Sequence, residues 1–185
     1  MLSPSQSDFL AIAAIAAVQS EKETKLPAAL TLAQAIFESG WGSHSPGNNC
    51  FGIKAHAGVP GRQLLDTVEY FAEAEYHWFT GLGDGRTAVL DPGHKNANGA
   101  EKYRCKDWFA KYNDLAGCFA DHARLITEAP LYQKAWKAYL EDGLYPPFVL
   151  AIGRIYAKDA SYGATILSFS TGSTVAQALA KAQAA

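Results

Sequence analysis

The sequence predicts an α+β fold with a mainly helical lobe, a small β-hairpin lobe and a cleft between them. Helix-compatible apolar runs occupy both ends of the chain, up to about Trp41 and again after Asn113. From Asn49 to about Trp108 the sequence turns to short β-like runs, broken by Gly58-Val-Pro-Gly61, Gly81-Leu-Gly-Asp-Gly85 and Asp91-Pro-Gly93. The chain has 185 residues, 49% of them hydrophobic and 12% aromatic, which suffices for a sizeable core in one domain. That domain is placed at residues 1–170, with the β-rich insertion at about 49–108. The Ala-rich stretch 171–185 reads as a frayed helix or a linker, and no internal repeat is present.

Phe9-Leu-Ala-Ile-Ala-Ala-Ile-Ala-Ala-Val18 is the first apolar run. No Lys or Arg precedes it, Asp8 sits at its edge, and it is too short to span a bilayer. It is therefore read as a core helix capped by Ser5 or Ser7, not as a signal peptide. Export then falls to another route, to a leader absent from this sequence, or to release by a phage holin. The second helix starts at Pro27, whose missing N–H costs nothing in a first turn, and stops at Gly40 and Gly42. Leu64-Leu-Asp-Thr-Val-Glu-Tyr-Phe71 alternates as a strand, with Asp66, Val68 and Tyr70 on one side and Thr67, Glu69 and Phe71 on the other. Helices follow at Leu115–Ile126 and Leu131–Leu140, and a final apolar helix at about Pro147–Tyr156.

A net charge of −2 leaves no footprint for nucleic acid or for an anionic membrane. It also lacks the basic balance that would hold a protein on an anionic cell wall, so binding is assigned to a groove. Of the three cysteines, Cys50 reads as a buried free thiol, and Cys105–Cys118 is a geometrically possible pair that the spacing does not support. The five histidines show no metal-ligand spacing, and His94 falls in turn-rich sequence, so no metal and no cofactor are assigned.

The most informative stretch is Thr31-Leu-Ala-Gln-Ala-Ile-Phe-Glu38-Ser-Gly-Trp-Gly42. At about 100° per residue, Thr31, Gln34 and Glu38 share one narrow stripe of an otherwise apolar helix. Such a helix is buried nearly all round, so the stripe needs partners or faces a cleft. Burial and the negative end of the helix dipole both raise a carboxyl pKa there, as a general acid requires. A solvated Glu near a helix end is the alternative reading of the same residues.

Ala33-Gln-Ala-Ile-Phe-Glu38-Ser-Gly-Trp-Gly42, followed by Asn48-Asn-Cys-Phe-Gly-Ile-Lys-Ala55, resembles the signature of glycoside hydrolase family 73. Its members are peptidoglycan-cleaving glucosaminidases and include the wall-cutting domains of flagellar rod proteins. The family pattern reads A-Q-x-x-x-E-S-G-W-G, then N-N-L-F-G-I-K. Cys50 replaces the Leu, a change compatible with burial. Weaker similarity extends from about Phe9 to about Leu167.

The resemblance implies a lysozyme-like architecture, with Glu38 as general acid and a second acid from a T-x-E in a β-hairpin. Thr67-Val-Glu69 matches that motif, so Glu69 is the candidate. A solvent-facing strand carboxylate is its alternative reading, and Glu73, Glu75, Asp84 and Asp91 are competitors. The next family-like block, Trp108-Phe-Ala-Lys-Tyr112, lies farther on than usual, which marks residues around Gly81–Gly99 as an inserted longer hairpin or lip.

Tyr156-Ala-Lys-Asp-Ala-Ser-Tyr162 is similar to the family's Y-A-T-D-P-x-Y, with Lys158 for Thr and Ala160 for Pro. By that match Tyr156 approaches Glu38, and its hydroxyl bonds the carboxyl or a sugar N-acetyl group. Tyr162 packs near the cleft, and Asp159 caps a turn or the next helix. Trp41 and Phe51 are wall or support residues, Asn49 bonds the groove backbone or the substrate, and Tyr70 and Trp78 are possible lining residues.

The implied function is cleavage of the β-1,4 bond after N-acetylglucosamine in peptidoglycan glycan strands, at the bacterial cell wall (periplasmic, extracellular or phage-delivered). No nucleic acid or membrane insertion is implied. A muramidase or lytic transglycosylase, and a non-catalytic wall-binding module on the same fold, are the alternatives.

Overall fold

The computed structural model describes residues 2–157 and 159–184. They form two compact units, one from residues 1–51 with 112–185 and one from Gly52–Lys111.

The first unit is helical. Helix α1 spans Pro4–Thr24, with Pro4 in the first turn and Ser3 as N-cap. Ser3 Oγ accepts from the Gln6 N–H at 3.2 Å, and Gln6 Oε1 accepts from the Ser3 N–H at 2.9 Å. This reciprocal cap corrects the assignment to Ser5 or Ser7: it satisfies two backbone donors that a later start would leave open. Helix α2, Ala28–Ser39, follows on Pro27, and Gly40 ends it in the left-handed conformation. Leu30, Leu32, Ala33 and Ile36 are buried, so α2 runs through the core rather than over it. Phe37 alone among its large apolar residues is exposed.

Beyond the insertion come α4 (Leu115–Glu128), α5 (Gln133–Asp142) and α6 (Tyr145–Tyr156). Asp114 caps α4 by accepting from the Gly117 N–H at 2.9 Å. Two further helices follow, α7 (Tyr162–Ser170) and α8 (Ser173–Ala184), so the α6 segment is not the last apolar helix. Residues such as Thr165, Ser168 and Ser170 dilute the helical signal of α7, and packing decides it: Tyr162 and Ile166 join a core with Leu30, Ile126, Phe148 and Ile152. The stretch after Thr171 is a helix with Val175 buried.

Helices α6 and α7 approach backbone to backbone. A Cβ on Gly153 would stand 2.4 Å from Gly163 Cα and 2.8 Å from Gly163 N. Only paired glycines permit that approach.

The segments flanking the insertion are laced together. A short 3₁₀ turn at Pro46–Asn48 leads into Asn49. The Tyr112 N–H donates to the Gly47 carbonyl at 2.9 Å, and Asn48 Nδ2 donates to the Tyr112 and Asn113 carbonyls at 3.0 and 3.1 Å. Phe51 stacks on His122 of α4 at 3.9 Å and meets Phe119 edge-on at 5.2 Å. Cys50, Cys105 and Cys118 are all buried free thiols, so the possible Cys105–Cys118 pair is not formed.

His122 is fully buried, and neither ring nitrogen has a hydrogen-bond partner among the described residues. Burial lowers its pKa to about 3, against a partial opposing pull from Asp121. The unfolded chain protonates this imidazole near pH 6.5 and the folded one only near 3, so stability falls as pH drops through that window. At about 1.4 kcal/mol per pKa unit the loss amounts to a few kcal/mol. His122→Phe is expected to flatten the fall in the denaturant midpoint between pH 7 and pH 4. An unchanged slope would show that His122 does not control it.

The second unit is a three-stranded antiparallel sheet, ordered β1 (Gly61–Phe71), β3 (Glu101–Lys111), β2 (Thr87–Lys95), with helix α3 (Glu73–Gly81) after β1. Helix α3 departs from the sequence reading, which found no helix here. Its nine residues are too few for periodicity to stand out, yet Phe79 meets Phe71 at 4.9 Å and Tyr76 stacks on Tyr103 at 4.8 Å. The segment expected as an inserted hairpin or lip contains the end of α3 and strand β2. Asp91-Pro-Gly93 is not a turn but an irregularity in β2 between Leu90 and Lys95. That edge strand tolerates a proline because its outer N–H groups need no partner. Among the described residues no helix is long and apolar enough to cross a membrane.

Candidate active site

Glu38 stands in the last turn of α2, before a tightly built stop. The Gly40 N–H reaches back to the Ile36 and Phe37 carbonyls, and the Trp41 N–H donates to the Ile36 carbonyl at 2.9 Å. The Gly42 N–H donates to Ser39 Oγ at 2.8 Å. Gly42 has φ +81°, and a Cβ there would fall 2.3 Å from the Phe9 ring, so Ser-Gly-Trp-Gly is a structural stop that fixes the end of α2. Trp41, half-buried with φ 60°, belongs to this stop.

The stripe read from the sequence finds its partner in Tyr162. Gln34 Nε2 donates to Tyr162 Oη at 3.0 Å, and Tyr162 Oη donates to Glu38 Oε1 at 2.6 Å. Gln34 and Tyr162 are buried, while Glu38 keeps an exposed edge. Burial raises the Glu38 carboxyl above its ordinary value, and the Tyr162 bond opposes that rise without cancelling it. The exposed edge limits how far desolvation can go. Tyr162 itself is held well above its ordinary value, first by burial and then by the carboxylate beside it. It is a neutral donor at any working pH. Thr31, the third residue of the stripe, is buried and donates to the Ala28 carbonyl at 3.2 Å, so it serves the helix.

The tyrosine that touches Glu38 is therefore Tyr162, not Tyr156. Tyr156 stacks parallel on Tyr162 at 5.6 Å and 10°, and its hydroxyl donates to the Phe51 carbonyl at 3.4 Å. The physical reason is the helix boundary. Tyr156 ends α6 and Tyr162 opens α7, so the two rings meet from different helices and the second carries its hydroxyl to the carboxylate. Tyr156 is the layer behind. Burial pushes its hydroxyl pKa well up, with Glu38's charge adding to the effect. Asp159 does what the sequence suggested, accepting from the Ser161 N–H and Oγ at 2.8 Å each. Lys158 lies outside the described residues. Phe51 is buried against α4 and Asn49 is also buried. Phe37, beside Glu38, is exposed and packs edge-on against Tyr162 at 5.5 Å. Its place in the apolar α2 pattern gave no signal of that position.

Glu69 lies in the other unit, on the β1 face that carries Thr67 and Phe71 and opposite Tyr103 of β3. Lys54 Nζ bonds Glu69 Oε1 at 2.8 Å and Asp107 Oδ2 at 2.6 Å, and rides over the Phe109 ring at 4.1 Å. Arg86 adds ion pairs to Asp107 and Asp84 at 3.2 and 3.3 Å. Glu69 is thus a paired, partly exposed carboxylate and not an isolated one. Sequence reasoning passed over Lys54, although it lies within the quoted Asn48–Ala55 block, because one lysine in an extended run carries no signal without its partners. Asp84 is tied to Arg86, and Asp91 to Lys102 at 3.0 Å; Glu73 and Glu75 sit in the first turn of α3. Tyr70 falls on the opposite side of β1 from Glu69, and Trp78 is exposed on α3.

A family model, Glucosaminidase, described as mannosyl-glycoprotein endo-β-N-acetylglucosaminidase, matches residues 14–172. The chain belongs to this family. It is a glycoside hydrolase, of the family that its two motif blocks resemble. Solved structures share the fold of this glucosaminidase domain. The catalytic domain of the autolysin Auto from Listeria monocytogenes is 21% identical, covering 96% of this chain and 89% of that one at TM-score 0.68. A peptidoglycan hydrolase from Sphingomonas sp. A1 is 23% identical, with 97% and 96% covered at TM-score 0.61. The glycoside hydrolase domain of FlgJ from Salmonella typhimurium is 22% identical, with 97% and 91% covered at TM-score 0.57. No curated protein matches the chain.

Proposed function

We propose that this glucosaminidase is a peptidoglycan hydrolase that cuts the β-1,4 bond after N-acetylglucosamine, with Glu38 as general acid. The observation that carries the proposal is the Tyr162–Glu38 bond: a carboxyl raised by burial, oriented by a neutral donor, at the end of a core helix. A general acid needs that combination, since it must arrive protonated and aimed at the leaving oxygen. The choice of glycan is supported by the relatives of the same fold that are named as an autolysin and a peptidoglycan hydrolase.

In this mechanism Glu38 gives its proton to the glycosidic oxygen as the bond to the sugar C1 breaks. Glu69, ion-paired with Lys54, activates water or stabilises the oxocarbenium-like charge. Assistance from the substrate's own acetamide is the other route for the second role. Tyr162 positions Glu38, Tyr156 backs Tyr162, and Trp41, Asn49 and Phe51 support or line the binding groove.

Incubation with purified cell-wall sacculi is expected to release new reducing ends. Wall binding without new ends would leave only a binding module, and release of glycans from mannosyl glycoproteins alone would move the substrate class.

Tyr162→Phe tests the positioning role through pH. It deletes the bond that lowers the Glu38 carboxyl, so that pKa moves further up. Activity of a general acid falls as pH rises through its pKa, and the alkaline limb of the kcat profile is therefore expected to shift to higher pH. Loss of one charge-assisted hydrogen bond should also cost about tenfold in kcat. A shift to lower pH would contradict the role.

A further inference from the structure

Gln34 is the buried member of the α2 stripe whose bond sets the direction of the next one. It is 0% exposed, and its Nε2 donates to Tyr162 Oη at 3.0 Å. Gln34 Oε1 is buried with no partner among the described residues. The reversed amide would bury an NH2 group there instead, with both hydrogens unpaired. An under-satisfied carbonyl is the lesser cost, so Gln34 is fixed as the donor. The Tyr162 ring is fixed as well, with Tyr156 stacked on it at 5.6 Å and Phe37 edge-on at 5.5 Å. What remains free is the rotation of the Tyr162 hydroxyl. Its one hydrogen cannot point at the Gln34 N–H, so it points at Glu38 Oε1, 2.6 Å away.

We propose that Gln34 is a positioning residue that decides which oxygen of Glu38 carries the acid proton. The proposal rests on the reading of Glu38 as general acid. Because Gln34 keeps Tyr162 a donor, Oε1 must accept, and the protonated carboxyl carries its hydrogen on Oε2. A hydrogen on Oε1 would meet the Tyr162 hydrogen head-on. Oε1 is the oxygen turned to the buried tyrosine, and Oε2 is the one left to serve the substrate. In the reaction the Oε2–H bond breaks as the proton passes to the glycosidic oxygen. The bond from that oxygen to the sugar C1 breaks with its electron pair staying on the oxygen. The charge left on Glu38 is met at Oε1 by a hydrogen that already points at it, so no reorientation is needed. Without the Gln34 donor, the Tyr162 hydroxyl is free to turn and accept from an Oε1–H. The carboxyl is then protonated on the oxygen that faces away from the sugar.

Gln34→Met keeps the length of the side chain and removes the donor. It is expected to lower kcat on peptidoglycan by about tenfold with KM unchanged, as for an interaction used in the transition state. Placed on Tyr162→Phe, which has no hydroxyl to orient, the same substitution should change kcat by less than about twofold. Gln34→Leu is measured alongside, with melting curves, so that a folding defect in one variant does not decide the result. A kcat equal to wild type, or a loss carried by KM, would overturn the proposal. A second tenfold loss on Tyr162→Phe would also overturn it, because Gln34 would then act through packing and not through the hydroxyl. The outcome is separable from the hydrolase reading. An inactive Glu38→Gln beside a fully active Gln34→Met refutes the role of Gln34 alone, whereas a fully active Glu38→Gln refutes the general acid and this role with it.

Discussion

Glu38→Gln is expected to lower the release of reducing ends from peptidoglycan by about a thousandfold or more while leaving the fold intact. General acid catalysis contributes about 10²–10⁴-fold, and an amide has no proton to give at working pH. The fold survives because the Gln side-chain carbonyl can still accept from Tyr162 Oη, so the Gln34–Tyr162 chain behind it keeps its partners. The exposed edge of Glu38 also means that little packing is disturbed. The measurement is reducing-end release alongside a melting curve. Retained activity with an unchanged melting temperature would remove Glu38 from the chemistry.

Gly153→Ala is expected to produce the largest structural loss. The new Cβ would lie 2.4 Å from Gly163 Cα, a clash with backbone that no rotamer change relieves. Forcing α6 and α7 apart should cost about 3 kcal/mol or more. That corresponds to a melting temperature lower by about 6–12 °C in a domain of this size. Activity should fall with it, because Tyr162 precedes Gly163 and follows α7 away from Glu38. Gly81→Ala is the control: nothing lies within 4 Å of its added Cβ, and it should change little. Equal melting curves for Gly153→Ala and wild type would show that the helices do not meet as described.

What the sequence made legible follows from where its signals are local. Helix α2 was readable to within a residue because Pro27, the apolar circumference and Gly40 each act on their own segment. The sides of β1 were readable because alternation is strict from Asp66 to Phe71. Helix α3 was not, since what holds it is the contact of Tyr76 and Phe79 with Tyr103 and Phe71 from other elements. The same limit applies at the site. The stripe of Thr31, Gln34 and Glu38 announced that a partner was needed, but nothing local names a residue on α7 that is 124 positions away. The match to the Tyr156–Tyr162 block did not tell which of its hydroxyls bonds Glu38, because that depends on where α6 ends and α7 begins. Lys54 was invisible as a partner for the same reason, since its two carboxylates come from β1 and β3.

The central claim is the bond that is cut, and mass spectrometry of borohydride-reduced fragments from peptidoglycan digested by the wild-type protein tests it most directly. Fragments ending in reduced N-acetylglucosamine are predicted, and they should be missing from the Glu38→Gln digest. Fragments ending in reduced muramic acid would instead make the protein a muramidase, and anhydro-muramic ends would make it a lytic transglycosylase; either result would contradict the account.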